Sequence, residues 1–339
     1  MKKIVLSSAV LALAVSTGAQ AQSSRDYISI VGSSTVYPFA SLVAEHFGKT
    51  SDFKAPKIES TGSGGGLKLF CAGLGPSHPD ITNASRAIKQ SEIDTCAANG
   101  IESITEVKVG YDGIVIANSK DAEQYNLNEQ QLYLALGKKV PNPDGSDSLV
   151  DNPYQKWSDI DESLPNQNIE VLGPPPSSGT RDAFAELALE GGCDTFEFIK
   201  AMEKDDHKAV CHGIREDGAY IEAGENDNLI VNKLVANPAA LGIFGYSFLE
   251  ENTDKVQGSS IDGVAPTFDA IASGEYPLSR PLFFYIKNDH VGVIPGVKEY
   301  AEAFLTEDAS GSNGYLKQAG LVPLSGDELA EIRAKVEAL

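Results

Sequence analysis

The chain has 339 residues, 42% of them hydrophobic, and a formal net charge of −21 at pH 7. The hydrophobic content excludes a disordered chain, and the acidic charge argues against nucleic acid and anionic membrane surfaces as partners. A small anionic ligand is not excluded, because donors within hydrogen-bond distance outweigh surface charges that salt screens beyond about 8 Å.

The first 21 residues have the pattern of a secretory signal peptide. Lys2 and Lys3 precede an apolar run over residues 4–15, which an A-x-A cleavage motif at residues 19–21 follows. The run is too short to span a bilayer, and no later stretch of about 18 apolar residues lacks charges. We expect export to the periplasm and a mature chain, from residue 22, that is long enough for two domains.

Short apolar segments alternate with helical periodicities in the first part of the mature chain. Strands are predicted at residues 27–32, 56–60 and 79–85, each followed by a helix, at residues 36–49, 64–73 and 89–100 respectively. A repeated strand and helix predicts an α/β domain with a mixed, mostly parallel sheet flanked by helices.

A longer apolar strand at residues 104–119 leads into a second block of similar character. Another apolar strand at residues 280–288 precedes C-terminal helical patterns, so the last segment can return to the first domain. We therefore predict two domains joined by two crossing strands. Domain I comprises residues 22–111 and 281–339, and domain II comprises residues 112–280.

The four cysteines fall into two sequence-local pairs, Cys71 with Cys96 and Cys193 with Cys211. Four cysteines allow three pairings, and in an oxidising compartment we favour disulfides within these local pairs. Zinc bound by the second pair with His207 and His212 is the alternative. The spacings match no zinc motif, so we expect no metal.

Three clusters rich in Ser, Thr and Gly follow predicted strands, at residues 32–36, 61–66 and 177–180. In an open α/β sheet, ligands bind beyond the carboxyl ends of strands, where helix N-termini offer free N–H groups. Three such termini aimed at one point suit a tetrahedral oxyanion. Each cluster alone can also be a helix cap or a flexible turn.

Three charged residues are candidates for the same site. Arg86 follows a predicted strand and Arg181 follows the third cluster, and a guanidinium is a bidentate donor for phosphate. Asp112 interrupts the apolar strand at residues 104–119, so it is either a turn residue before Gly113 or an acceptor that faces a cleft.

Taken together, seven motifs resemble the periplasmic phosphate-binding proteins of Pst-type ABC transporters, the PstS family. They are, in chain order, IVGSSTVYPFASLVAEHF, ESTGSGGGLKLFCAG, DITNASRAIK, VGYDGIVIANS, PPPSSGTRDAF, LGIFGYSFLEEN and YPLSRPLFFYIKN. The resemblance implies a type II periplasmic binding protein fold, whose two domains close on inorganic phosphate and deliver it to a membrane permease.

Carried over position by position, the resemblance implies phosphate ligands from both domains: Ser34, Thr35, Val36 and Ser63 from domain I, and Ser178, Gly179 and Thr180 from domain II. Two positions depart from the family pattern, because Arg86 stands where an aspartate is usual and Pro174 where an arginine is usual. We hypothesise that Arg86, helped by Arg181, supplies positive charge and that Asp112 accepts the phosphate proton.

The resemblance implies a monomeric binding protein with no cofactor and no enzymatic activity. Its partners would be inorganic phosphate and the permease subunits of an ABC transporter. A binding protein for another tetrahedral oxyanion, one with a sensory or adhesive role, and a secreted phosphatase on the same scaffold are the alternatives. No G-x-S-x-G nucleophile motif supports the phosphatase.

Overall fold

A computed structural model of the protein describes residues 25–176, 178–224 and 227–339. The predicted signal peptide, residues 1–21, and Ser177 of the third cluster lie outside the described residues. No helix within the described ranges is long and apolar enough to cross a membrane.

The strands, in chain order, are β1 (Ser29–Gly32), β2 (Lys57–Ser60), β3 (Ile81–Ala84), β4 (Ile104–Ser119), β5 (Asn126–Leu127), β6 (Lys139–Pro141), β7 (Leu149–Asp151), β8 (Val171–Gly173), β9 (Tyr220–Glu222), β10 (Leu241–Gly245), β11 (Val256–Gly258), β12 (Ser260–Ile261) and β13 (Ser279–Lys287).

The α-helices are α1 (Tyr37–Thr50), α2 (Ser63–Phe70), α3 (Gln90–Ala98), α4 (Glu129–Leu136), α5 (Trp157–Ile160), α6 (Gly179–Phe184), α7 (Glu190–Cys193), α8 (Glu197–Lys200), α9 (Lys204–Cys211), α10 (Asp227–Ala236), α11 (Tyr246–Glu251), α12 (Phe268–Ser273), α13 (Val297–Phe304), α14 (Glu307–Ser310), α15 (Tyr315–Gln318) and α16 (Gly326–Glu337). A π-helical turn (Ala185–Leu189) joins α6 to α7, and a 3-10 turn (Asn288–His290) follows β13.

One mixed sheet forms the centre of the fold, with strand order β2-β1-β3-β13-β4-β10-β8-β9 and β11 paired to β4. The outer pairs β1–β2, β1–β3, β8–β9 and β8–β10 are parallel, and every pair that involves β4 or β13 is antiparallel. The α/β class with a mixed sheet flanked by helices is confirmed. The antiparallel pairs lie in the middle, where β13 is inserted between β3 and β4.

The strand β4 connects the two halves of the sheet. It pairs with β13 from Ile104 to Gly113, and with β10 and β11 from Ile114 to Ser119. This change of partner lies next to the predicted boundary between residues 111 and 112. The division into domain I and domain II stays a prediction.

Helices such as α1, α2 and α10 pack on this sheet. In α1 the buried residues Phe39, Ala40, Val43, Ala44 and Phe47 follow the spacing of three and four residues that places side chains on one helix face. The C-terminal helix α13 packs on α1, so the end of the chain returns to the first half.

Each half of the sheet carries one disulfide near its helices. Cys71 is bonded to Cys96, and Cys193 is bonded to Cys211. The predicted sequence-local pairing is confirmed. The sulfur of Cys211 lies near Asp194 and His207, but it is bonded to Cys193 and so offers no thiolate for zinc.

Candidate functional site

The first cluster forms the loop between β1 and α1. Gly32 has φ +129°, and a Cβ atom there would lie 2.1 Å from the backbone oxygen of Asn83, so only glycine fits. The hydroxyl of Ser33 accepts a hydrogen bond from the N–H of Val36 at 3.3 Å. Ser34 and Thr35 lie between these two residues, and the hydroxyl of Thr35 points to the cleft side of the sheet, where an arginine contacts it (below).

The third cluster begins α6 from the other half of the sheet. Ser178 is its N-cap, and the hydroxyl oxygen of Ser178 accepts a hydrogen bond from the N–H of Thr180 at 3.2 Å. A Cβ atom added to Gly179 would lie 3.4 Å from the backbone oxygen of Ser34 and 3.6 Å from the Cα of Thr35. The first and third clusters therefore face each other so closely that an alanine side chain at position 179 would touch the first cluster.

A cavity of about 390 Å³ opens between these two loops. Six of the predicted site residues line it: Ser34, Thr35, Asp112, Ser178, Gly179 and Thr180. Its wall also includes Tyr37, Phe39 and Phe248, so the cavity surface is partly polar and partly apolar.

Arg280 is the cation of this site. It lies on β13 directly opposite Asp112 on β4, and its side chain is 12% exposed. One guanidinium nitrogen, Nη2, donates to the hydroxyl of Thr35 at 2.8 Å. The other, Nη1, donates to Glu186 Oε2 at 2.5 Å. Arg280 thus bridges β13, the loop before α1 and the π turn after α6.

Asp112 is a buried carboxylate with a free acceptor. Its Oδ2 lies 3.5 Å from Arg280 Nε, too far for a hydrogen bond, and has no other hydrogen-bond partner within the described residues. Burial raises the pKa of Asp112, Arg280 opposes this effect, and Glu186 adds to it. The side chain, 13% exposed, lines the smaller cavity, while its Oδ2 is inaccessible to solvent and lies unsatisfied beside a cation.

The second cluster lines a larger cavity, of about 560 Å³, at the same cleft. Ser63 begins α2, and its Oγ accepts a hydrogen bond from the N–H of Ser85 at 3.0 Å. Arg280 lines this larger cavity, and it contacts Thr35 and Asp112 of the smaller one. The two cavities therefore adjoin at Arg280.

With this geometry established, comparison with known proteins identifies the family. A sequence model described as the PBP superfamily domain matches residues 17–309. The chain belongs to the PBP superfamily.

Relatives of this PBP superfamily member include proteins named for phosphate binding. The phosphate-binding protein PstS of Staphylococcus epidermidis is 31% identical over 285 residues, which cover 82% of this chain and 73% of that protein. Protein SphX of Synechococcus elongatus is 28% identical over 311 residues, which cover 90% and 80% of the two chains. The resemblance to the PstS family found in the sequence is confirmed.

A solved structure described as a possible phosphate binding protein from Planctomyces limnophilus superposes with a TM-score of 0.72 at 26% identity. The match covers 93% of this chain and 99% of that one. It confirms the binding-protein fold that the resemblance implied.

Arg86 and Arg181, the two arginines expected to supply positive charge to the site, lie away from Asp112. Arg86 donates two hydrogen bonds to Glu92, at 2.8 and 2.9 Å, which raise the pKa of Arg86 and lower that of Glu92. Arg181 is paired with Glu222 at 3.2 Å and lies over the ring of Tyr220. The structure thus places Arg280, and not Arg86 or Arg181, against Asp112.

Sequence reasoning missed Arg280 and Glu186. Arg280 stands in the quoted motif YPLSRPLFFYIKN, but its position opposite Asp112 follows from the register of β4 and β13, which no local pattern gives. Glu186 lies seven residues after Gly179, a spacing that places two residues on one helix face. That spacing was the available signal.

Proposed function

We propose that this protein is the exported phosphate-binding component of an ABC transporter. The observation that carries the proposal is the meeting of the first and third clusters, from opposite halves of the sheet, around Arg280 and Asp112. The names of the PstS relatives support phosphate as the ligand. Arsenate and sulfate, two other tetrahedral oxyanions, are the competing ligands to be tested.

Phosphate would be held by donors from both halves. Thr35, Ser178 and Thr180 line the smaller cavity and would donate from their hydroxyls. Ser34, Val36, Ser63 and Gly179 would add backbone or hydroxyl donors, as the sequence resemblance implies. We transfer the role of positive charge from Arg86 to Arg280, since a guanidinium in contact with Thr35 can donate to two phosphate oxygens.

Closure would complete the site. We propose that domain I (residues 22–111 and 281–339) and domain II (residues 112–280) rotate about the crossing strands β4 and β13, enclose the ligand and present a closed shape to the permease in the periplasm. The signal-peptide pattern at residues 1–21 supports export.

The decisive experiment strips bound ligand by unfolding and refolding, then titrates phosphate and sulfate in parallel by calorimetry. Tight binding of one phosphate with negligible sulfate response is expected. Comparable binding of both ions would favour a general oxyanion-binding protein. Hydrolysis of a chromogenic phosphomonoester by the wild type would favour the phosphatase.

Asp112 should set the selectivity for phosphate over sulfate. Phosphate near neutral pH carries a proton, whereas sulfate has none, so a free carboxylate oxygen in the cleft accepts a hydrogen bond from phosphate and repels sulfate. We expect Asp112→Asn to reduce the ratio of phosphate to sulfate affinity by about tenfold or more, measured by competition titration. An unchanged ratio would refute this role.

A further inference from the structure

Glu186 is a carboxylate in the cleft that the proposed function has not used. It lies in the π turn Ala185–Leu189, seven residues after Gly179 and on the cleft side of the same helical segment. π turns inside helices are frequent at functional sites. Its Oε2 accepts from Arg280 Nη1 at 2.5 Å, and its side chain is 39% exposed, so it also lines the larger cavity.

Two carboxylates therefore flank one guanidinium. Asp112 lies at Nε of Arg280 and Glu186 at Nη1, while Nη2 reaches Thr35. With all three groups ionised, this triad carries a net charge of one negative unit. A phosphate dianion placed against it would meet two like charges in a largely buried cleft, and like charges at short distance disfavour full ionisation.

One additional proton relieves this repulsion. Asp112 lines the smaller cavity and Glu186 the larger one, and the two cavities adjoin at Arg280. A ligand with two protons at this junction can donate one to the Asp112 carboxylate and one to Glu186, and its remaining oxygens can accept from Arg280 and the cluster hydroxyls. The number of protons in the bound complex is the same whether the shared proton lies on Glu186 or on the ligand.

We propose that Glu186 is a second proton acceptor in the cleft, and that the species captured is phosphate carrying two protons, or the equivalent dianion with Glu186 protonated. The inference rests on the proposed phosphate-binding function and specifies its ligand. It makes Glu186 a residue that determines specificity.

Other ionisable groups face the same cavity. Arg86 is paired with Glu92, His212 with Glu190 and His207 with Asp194, while Lys89, Lys204 and Lys208 also line the wall. The test is made at about pH 8.5, where an ordinary histidine side chain is neutral.

The experiment counts protons. Phosphate is titrated into the wild type at about pH 8.5 in buffers of different ionisation enthalpy, which gives the protons taken up per phosphate bound. At this pH free phosphate is mainly the dianion, so we expect uptake of about one proton by the wild type and about none by Glu186→Gln. Gln keeps a carbonyl oxygen for Arg280 but cannot take up a proton.

Glu190→Gln is the matched control, because Glu190 lines the same cavity and pairs with His212, away from Arg280. It should keep an uptake of about one proton. Undiminished uptake in Glu186→Gln would overturn the proposal and direct attention to Asp112 or the histidines. Binding by the wild type without uptake would overturn this proposal alone, whereas no phosphate binding would overturn the proposed function as well.

A second measurement needs no variant. If the captured species carries two protons, the wild-type Kd for total phosphate should rise about tenfold per pH unit from about pH 8 to 9. A Kd that is constant over this range would contradict the role of Glu186, even if Glu186→Gln failed to fold.

Discussion

Arg280 connects both sides of the cleft through a single side chain. It leaves β13 beside Asp112, contacts Thr35 on one side and Glu186 on the other, and is mostly buried. Charge-assisted hydrogen bonds of this kind are about twice as strong as neutral ones. The guanidinium is therefore preorganised for an anion before any ligand arrives.

Replacing Arg280 should weaken phosphate binding far more than replacing Arg86. Arg280→Ala removes the cation that contacts Thr35, so we expect a loss of affinity of about tenfold or more. Arg86→Ala removes a partly exposed pair with Glu92, 34% and 21% exposed, and should change affinity by less than about threefold. Calorimetric titration of both variants with phosphate decides this, and equal losses would contradict the assignment.

The local parts of the site could be predicted from the sequence, and the long-range parts could not. Ser34, Thr35 and Ser178 to Thr180 follow strands and precede helices, so neighbouring residues determine their position. Arg280 and Asp112 meet because β13 and β4 pair in one register, which depends on the whole sheet. A helix cap within the third cluster and both disulfides were likewise local enough to predict.

Among the elements, α2 depends on a missing side chain for its position against the sheet. A Cβ atom on Gly66 would lie 2.4 Å from the Cα of Gly32 and 2.7 Å from Thr82 Oγ1. Because backbone atoms cannot move aside cheaply, α2 can lie this close to β1 only with glycine at this position. The close approach fixes the N-terminus of α2, and with it Ser63, beside the cleft.

Gly66→Ala should therefore destabilise the fold by about 1–3 kcal/mol, the usual cost of overpacking a tight contact. Gly64→Ala in the same helix is the control. Its Cβ would meet nothing within 4 Å, and alanine favours a helix over glycine by up to about 1 kcal/mol. Urea unfolding of both variants measures the difference, and equal stabilities would refute the steric argument.

The stability of the whole molecule should depend on pH through a buried lysine. Lys287 at the end of β13 is 0% exposed, and its Nζ donates to the backbone oxygen of Gly73 at 2.6 Å. Burial lowers the pKa of Lys287 to about 8. The charges of Asp80 and Asp289 raise this pKa, and the charge of Arg25 lowers it.

The sign of the effect follows from proton binding. Between about pH 8 and 10 the unfolded chain keeps a proton on Lys287 that the native chain loses, so the free energy of unfolding should rise with pH. Above about pH 10 the rise ends, since burial raises the pKa of Tyr276 and Tyr300 and unfolding lets them ionise. Lys287→Met should abolish the rise in urea titrations at several pH values. A rise of the same size in the variant would assign the effect to other groups.

The place of β13 in the sheet also determines the order in which the protein can fold. It lies between β3 and β4, although β3 is among the first strands to be made and β13 is the last. The first half of the sheet therefore has a gap until residues 279–287 have been synthesised. In the second half, β10 and β11 can pair with the C-terminal end of β4 beforehand, and β8 and β9 can add to β10. Contacts between segments so far apart in the chain slow folding. A truncated chain that ends before residue 279 would leave β3 and the N-terminal end of β4 as open edges, which are the sites where chains aggregate.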